Sequence, residues 1–170
     1  QGARVLDAGC GPGRFVSHML RRGFRVHLVD AAPDALHRAL SHGLDAGGSA
    51  DTLDGHVADV DTLDVFEDGT FDAVLSMEVI CYRGDPLAAL RELARVTKPG
   101  GVIMLSVEGL YGALMTTEGA SPGEIEGALG DGKVSIPRDV HVTYYTAESI
   151  TALLREAGLE PVLVTGCHYV

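Results

Sequence analysis

The chain has 170 residues, of which 46% are hydrophobic and 22% charged, with a formal net charge of −11. This length and apolar content suit one folded domain with a sizeable core and exclude a disordered chain. The acidity argues against nucleic acid as a bulk partner, and no run of about 18 apolar residues suggests a membrane-spanning helix. Cys10, Cys81 and Cys167 lie far apart without CxxC spacing, so no metal site and no disulfide framework are expected. That cysteine pattern, with no basic and apolar leader at the start, sets the expectation of a reducing, cytoplasmic compartment.

Strand and helix signals alternate along the chain, which predicts βαβ units and a doubly wound, mostly parallel α/β sheet. Arg4–Asp7 reads as the first strand, Arg14–Arg22 as the first helix stopped by Gly23, and Arg25–Asp30 as the second strand. Pro33–Ser41 reads as the second helix, with Pro33 in its first turn. Gly55–Asp59 is the expected third strand and Phe71–Ser76 the fourth, apolar enough to be central. Asp85 then caps a helix that has Pro86 at its first position and ends at Lys98-Pro-Gly-Gly101. Val102–Val107 is the fifth strand. Thr146 caps the last helix, whose Ile150, Leu153, Leu154 and Ala157 form one apolar stripe, and Pro161–Thr165 opens a sixth strand. Between them, Gly109 to Tyr145 is much longer than a connection needs. It carries apolar residues and a short helical stretch at Glu124–Leu129, and reads as an insertion or lid within one domain spanning residues 1–170.

The richest stretch is Val5-Leu-Asp-Ala-Gly-Cys-Gly-Pro-Gly13, an apolar strand ending in an acid and followed by alternating glycines. A glycine loop entering a helix lets backbone approach a ligand closely and aims free N–H groups at it. A pyrophosphate on this loop would be repelled by Asp7, whereas the ammonium and sulfonium of S-adenosylmethionine would be attracted. The dinucleotide fingerprint also fails, since its third glycine would fall at Arg14.

Five stretches in order resemble class I S-adenosylmethionine-dependent methyltransferases of the small-molecule type, from Val5 to about Thr165. They are Asp7–Gly13, Val29-Asp30, Val57-Ala-Asp59, Phe71–Tyr82 and Leu93–Gly101. The resemblance implies a Rossmann-like methyltransferase core and S-adenosyl-L-methionine as cofactor. It implies transfer of a methyl group to a small-molecule acceptor, at oxygen, nitrogen or carbon. The chain departs from the family at both ends, where a helical cover before the first strand and a last antiparallel strand are expected. A fragment, or a core completed by a missing segment or partner chain, would explain this. The oligomeric state stays open, a dimer included.

The expected cofactor residues are Asp7, Ala8, Gly9, Cys10, Gly11 and Gly13 in the loop, with Asp30, Ala31, Asp59, Val60, Ser76 and Met77 at the other strand ends. Asp30 can accept from both ribose hydroxyls or cap the second helix. Asp59 stands where the family's adenine acceptor stands, with the Val60 N–H on a ring nitrogen and Ala31 and Leu63 as apolar walls; the alternative is one acid in a solvated run. Glu78, Tyr82, Tyr111 and Tyr144 are expected on the acceptor side, and His141 is the candidate to take a proton from a hydroxyl acceptor. The other histidines on predicted scaffold elements receive no role. Neither an Asn-Pro-Pro-Tyr nor a Pro-Cys follows the fourth strand, which disfavours amino methylation of adenine or glutamine and cysteine-dependent cytosine chemistry. Two rival readings remain: an NAD-linked oxidoreductase, and a non-catalytic methyltransferase-like partner subunit.

Overall fold

A computed structural model describes residues 2–116 and 142–166, and residues 123, 126, 127 and 130 between them. His141 lies outside the described residues, and so does most of the helix expected over Glu124–Leu129. Five parallel strands form one sheet in the order β3-β2-β1-β4-β5. They are β1 (Arg4–Ala8), β2 (Arg25–Asp30), β3 (Leu53–Val57), β4 (Phe71–Met77) and β5 (Thr97–Ser106). The helices are α1 (Val16–Arg21), α2 (Pro33–Asp45), α3 (Pro86–Val96), α4 (Leu110–Thr116) and α5 (Ala147–Glu156), with a 3₁₀ turn at Ile80–Tyr82.

Two apolar layers sandwich the sheet. On one face Val5, Val26, Leu28 and Leu53 pack with Val16, Met19, Leu36 and Ala39 of α1 and α2. On the other, Leu6, Ala8, Phe71 and Val74 meet Leu90, Leu93 and Val96 of α3 and the loop residues Leu63 and Phe66. Burial on both faces is why β1 and β4 read as near-continuous apolar runs. Helix starts follow local chemistry: the Asp85 carboxylate accepts from the Ala88 N–H at 3.0 Å, and Thr146 and Ser149 form a reciprocal capping box at α5.

Several expected bounds are corrected: α1 covers Val16–Arg21 rather than Arg14–Arg22, α2 runs on to Asp45 rather than stopping at Ser41, and three strand readings change. β3 runs over Leu53–Val57 rather than Gly55–Asp59, because its register is set by pairing Val26–Asp30 with Leu53–Val57. Asp59 and Val60 therefore lie beyond the strand, in the loop. β5 begins at Thr97, and a bulge between Phe71 and Ala73 absorbs Lys98–Gly101 into the strand. Pro161–Thr165 forms no strand; Val162 is 97% exposed, and no described strand lies alongside to pair with it. Apolar β-branched residues favour a strand only where a ladder partner exists.

The strand order reverses between β1 and β4, so the crevice at their carboxyl ends is the topological switch point where open α/β sheets bind ligands.

Candidate functional site

The loop after β1 is shaped by backbone. Gly9, Gly11 and Gly13 all have φ between 52° and 88°. The Val29 carbonyl accepts from both Gly9 N–H (2.8 Å) and Cys10 N–H (2.9 Å), anchoring the loop to the end of β2. A Cβ on Gly9 would meet Val79 Cγ2 at 2.3 Å and one on Gly13 would meet Ala39 Cα at 2.7 Å, so these two glycines serve close packing. A Cβ on Gly11 would meet nothing within 4 Å. Gly11 thus owes its place to its backbone conformation and to whatever lies on the loop.

Asp30 closes the same loop. Its Oδ2 accepts from the Gly11 N–H and its Oδ1 from the Ala32 N–H, both at 2.8 Å. The N-cap of α2 is Ala32, so Asp30 braces the helix entry without being the cap. A carboxylate has about four lone-pair sites, so two remain for a ligand after these bonds.

Asp7 is only 1% exposed, and its Oδ2 has no partner among the described residues. Burial first, and the Asp30 charge second, push its pKa up to about 7. The acid expected at the loop entrance is therefore a buried group beneath the loop whose surroundings favour its protonated form. Ala8 and Cys10 are buried in the core. The Cys10 thiol is pushed up to about 12 by burial and then by Asp7 and Asp30, which leaves it inert. Ser76, expected at the cofactor, is fully buried, backbone included, and its Oγ has no partner among the described residues.

A groove of about 260 Å³ opens at this edge, lined by Gly9, Asp30, Ala31, Asp59, Val60, Met77, Glu78, Val79, Tyr82 and Arg83. Eight of these ten were expected from sequence; Val79 and Arg83 were not. Leu63, expected as an apolar wall, is instead fully buried among core residues, its N–H donating to Glu92 Oε2 at 2.8 Å. Glu78 has φ 58°, the one positive φ on a non-glycine among the described residues, and its N–H donates to the Ser106 carbonyl at 3.0 Å. Strained backbone at a ligand-facing strand end is a mark of function. A larger hollow of about 330 Å³ lies at the opposite sheet edge, lined by Arg4, Arg25, His27 and Asp54 among others. It has neither glycine loop nor carboxyl strand ends, so the smaller groove is the candidate site.

Of the two unexpected residues, Arg83 is the charged one. It bridges Asp59 and Asp61, with Nη2 2.6 Å from Asp59 Oδ1 and 2.5 Å from Asp61 Oδ2. No local spacing announces a contact between residues over 20 positions apart, and Arg83 is one of 13 Lys and Arg in the chain.

The residues expected on the acceptor side are placed differently. Tyr82 is exposed at the groove, and Tyr111 is 58% exposed on α4. Tyr144 is buried against Leu110, Ala113 and Val142 rather than presented as a free contact. The long connection is tied at both ends: Leu110 N–H to the Tyr145 carbonyl and Tyr145 N–H to the Glu108 carbonyl, each at 2.9 Å. Thr143 N–H also reaches the Cys81 carbonyl at 2.8 Å, joining this connection to the 3₁₀ turn beside the groove. Tyr82 and Tyr144 are both raised above the usual phenol range, first by burial and then by neighbours that include Cys81 and Glu108. Among the described residues no group of three or more His, Cys, Asp or Glu is placed to hold a metal ion. No described helix is long and apolar enough to cross a membrane.

A doubly wound sheet with a glycine loop at its switch point, an acid ending β2 and another beyond β3 defines a nucleotide-cofactor enzyme of the Rossmann-like class. Residues 1–164 match the family model described as methyltransferase domain. The chain belongs to that family, the S-adenosylmethionine-dependent methyltransferases. It is 36% identical over 170 residues to the ubiquinone biosynthesis O-methyltransferase of Xanthomonas oryzae pv. oryzae, covering 99% of this chain and 67% of that protein. The protein of the same description from Xanthomonas axonopodis pv. citri is 35% identical over the same span. Among solved structures, the complex of the Haloferax volcanii Trm112 methyltransferase activator with a candidate methyltransferase matches at TM-score 0.71 and 26% identity, over 94% of this chain and 62% of that one. An S-adenosylmethionine-dependent methyltransferase of Methanosarcina mazei matches at TM-score 0.72 and 19% identity, over 92% and 79%, a likeness of fold alone.

Proposed function

We propose that this chain binds S-adenosylmethionine in the groove at the β1/β4 switch point and directs its methyl group to a hydroxyl of a small-molecule acceptor. The observation that supports this most is Asp30, locked by two backbone N–H groups with lone pairs left over beside a glycine loop. The donor set fits the cofactor: a buried Asp7 carboxylate whose Oδ2 has no partner among the described residues, for a cationic ligand, and acids ending β2 and beyond β3 for ribose and adenine. The choice of oxygen follows the ubiquinone biosynthesis O-methyltransferases that the chain resembles.

When bound, the cofactor supplies a methyl group already activated on a sulfonium. The protein's task is then alignment and exclusion of water. Asp30 holds the ribose hydroxyls, Asp59 the adenine amino group and the Val60 N–H a ring nitrogen. The backbone of Met77, which lines the groove, faces the methionine part, with the buried Ser76 behind it. Glu78 and Tyr82 border the acceptor, with Gly109–Tyr145 forming a lid or platform that contributes Tyr111, beneath which the buried Tyr144 packs against Leu110. His141 is the candidate proton acceptor. Residues 1–170 act as one domain in this reading.

Calorimetry with S-adenosylhomocysteine and with NAD tests the cofactor. Saturable binding of the first is expected, and tight NAD binding without it overturns the reading. Labelled-methyl transfer to a panel of small hydroxyl-bearing acceptors tests the reaction. Binding of the cofactor with no transfer to any acceptor by the full-length protein would favour the partner-subunit reading.

A further inference from the structure

The acidic run after β3 poses a physical problem. Asp59 and Asp61 are close neighbours in a stretch that also holds Asp64, Glu67 and Asp68. The Asp59 side chain is 44% exposed. Left to itself, such a carboxylate turns freely into water, away from its neighbour's charge, and presents no defined oxygen to a ligand.

Arg83 removes that freedom. Its Nε donates to both oxygens of Asp61, at 3.1 and 3.2 Å, and its Nη2 to Asp61 Oδ2 at 2.5 Å. The fork is thereby fixed, as bidentate guanidinium–carboxylate pairs are. The same Nη2 lies 2.6 Å from Asp59 Oδ1, and the Asp61 N–H donates to that oxygen at 3.1 Å. Oδ1 thus has two donors, whereas Oδ2 has none among the described residues. Asp59 and Arg83 both line the groove. One oxygen is held and the other is left as a directed acceptor.

We propose that Arg83 is a positioning residue for base selectivity: by holding Asp59 through Oδ1 it keeps Oδ2 aimed as an acceptor for the exocyclic amino group of adenine. The proposal rests on the adenine reading of Asp59 given above. Adenine offers an amino donor at C6. Hypoxanthine offers a carbonyl there, whose lone pairs oppose those of a fixed carboxylate. A site built around one buried or held polar group rejects the analogue that cannot pair with it. A carboxylate free to rotate avoids the clash and loses the discrimination.

The test is calorimetry with S-adenosylhomocysteine and S-inosylhomocysteine on the wild type and on Asp59→Asn, Arg83→Gln, Arg83→Lys and Asp61→Asn. The wild type should prefer the adenosyl form by about tenfold or more, the scale of one unmatched polar contact. Asp59→Asn should bring that ratio close to one. Arg83→Gln should lower it at least about threefold, and Arg83→Lys, which keeps the charge without the fork, should recover part of it. A merely structural role would weaken both ligands alike and leave the ratio unchanged. If Asp59→Asn loses the preference while Arg83→Gln keeps it, the role of Arg83 is overturned. If the wild type shows no preference, or Asp59→Asn retains it, the adenine reading of Asp59 fails and takes the proposal with it. Should Arg83→Gln lack the far-UV circular dichroism of the wild type, Asp61→Asn decides, since its amide cannot hold the guanidinium by two acceptor oxygens. A lowered ratio there supports the proposal and an unchanged one overturns it.

Discussion

The loop between β1 and α1 and the connection between β5 and α5 stand at the same edge of the sheet, yet they are held in different ways. The first is fixed by its own backbone: Val29 and Asp30 take the N–H groups of Gly9, Cys10 and Gly11 within 2.9 Å. The second is pinned at its ends, through Leu110, Thr143 and Tyr145, and places side chains such as Tyr111 and Tyr144. A cofactor shared by a whole family can be recognised by backbone and a few acids. An acceptor peculiar to one enzyme must be recognised by side chains on a segment free to vary. Loops carried on a rigid scaffold serve that purpose.

The sharpest way to break this contrast is at Gly11. Gly11→Val should reduce S-adenosylhomocysteine binding below detection, a loss of more than about 100-fold, with far-UV circular dichroism near the wild type. Its Cβ meets no protein atom, so the collision is with the ligand, although φ 52° also strains a β-branched residue. Gly13→Ala should do the reverse, lowering the melting temperature, because its Cβ would lie 2.7 Å from Ala39 Cα. Retained binding in the Gly11 variant would take the ligand off this loop.

Next in size is the pH dependence set by Asp7. Its folded pKa is raised from 3.8 to about 7, so the folded state holds more protons than the unfolded state across that window. Stability therefore falls as pH rises from about 4 to 7, by an upper bound of roughly 4 kcal/mol, and is flat above it. Asp7→Asn should remove that fall, and be more stable than the wild type in urea at pH 8 but not at pH 4. Equal pH profiles for the two proteins would show that Asp7 ionises without penalty.

Asp30→Ala should weaken S-adenosylhomocysteine binding by about 1–3 kcal/mol, the loss of a charge-assisted acceptor. It also frees the Gly11 and Ala32 N–H groups, so a small drop in melting temperature should accompany it. A stability loss with unchanged affinity in the folded protein would leave Asp30 as a loop brace alone.

The smallest effect on the cofactor is expected from the other region. Replacing Gly112–Gly130 with a short Gly/Ser linker should leave cofactor affinity within about 1 kcal/mol. Turnover with the methyl acceptor should fall at least about tenfold, equivalent to roughly 1.4 kcal/mol in the transition state. Full turnover would show that the segment takes no part in the acceptor site.

Sequence alone determined the elements whose signal is local. The alternation of periods placed β2 on Arg25–Asp30 without error, and Asp85-Pro86 and Thr146 marked helix starts because caps act over three or four residues. The Asp7–Gly13 loop and the acid ending β2 were legible for the same reason, since each follows an apolar run, whereas Asp59 was singled out by the family resemblance. Tertiary structure decided everything that needs a partner far along the chain. It moved β3 to Leu53–Val57 by pairing with β2, and left Pro161–Thr165 unpaired despite its strand-like residues. It drew Leu63 into the core, buried Asp7 until its proton affinity rose, and joined Arg83 to Asp59 and Asp61. Spacing in sequence carries information about one turn or one strand. Burial, register and the meeting of distant charges are properties of the packed sheet, and only the folded chain sets them.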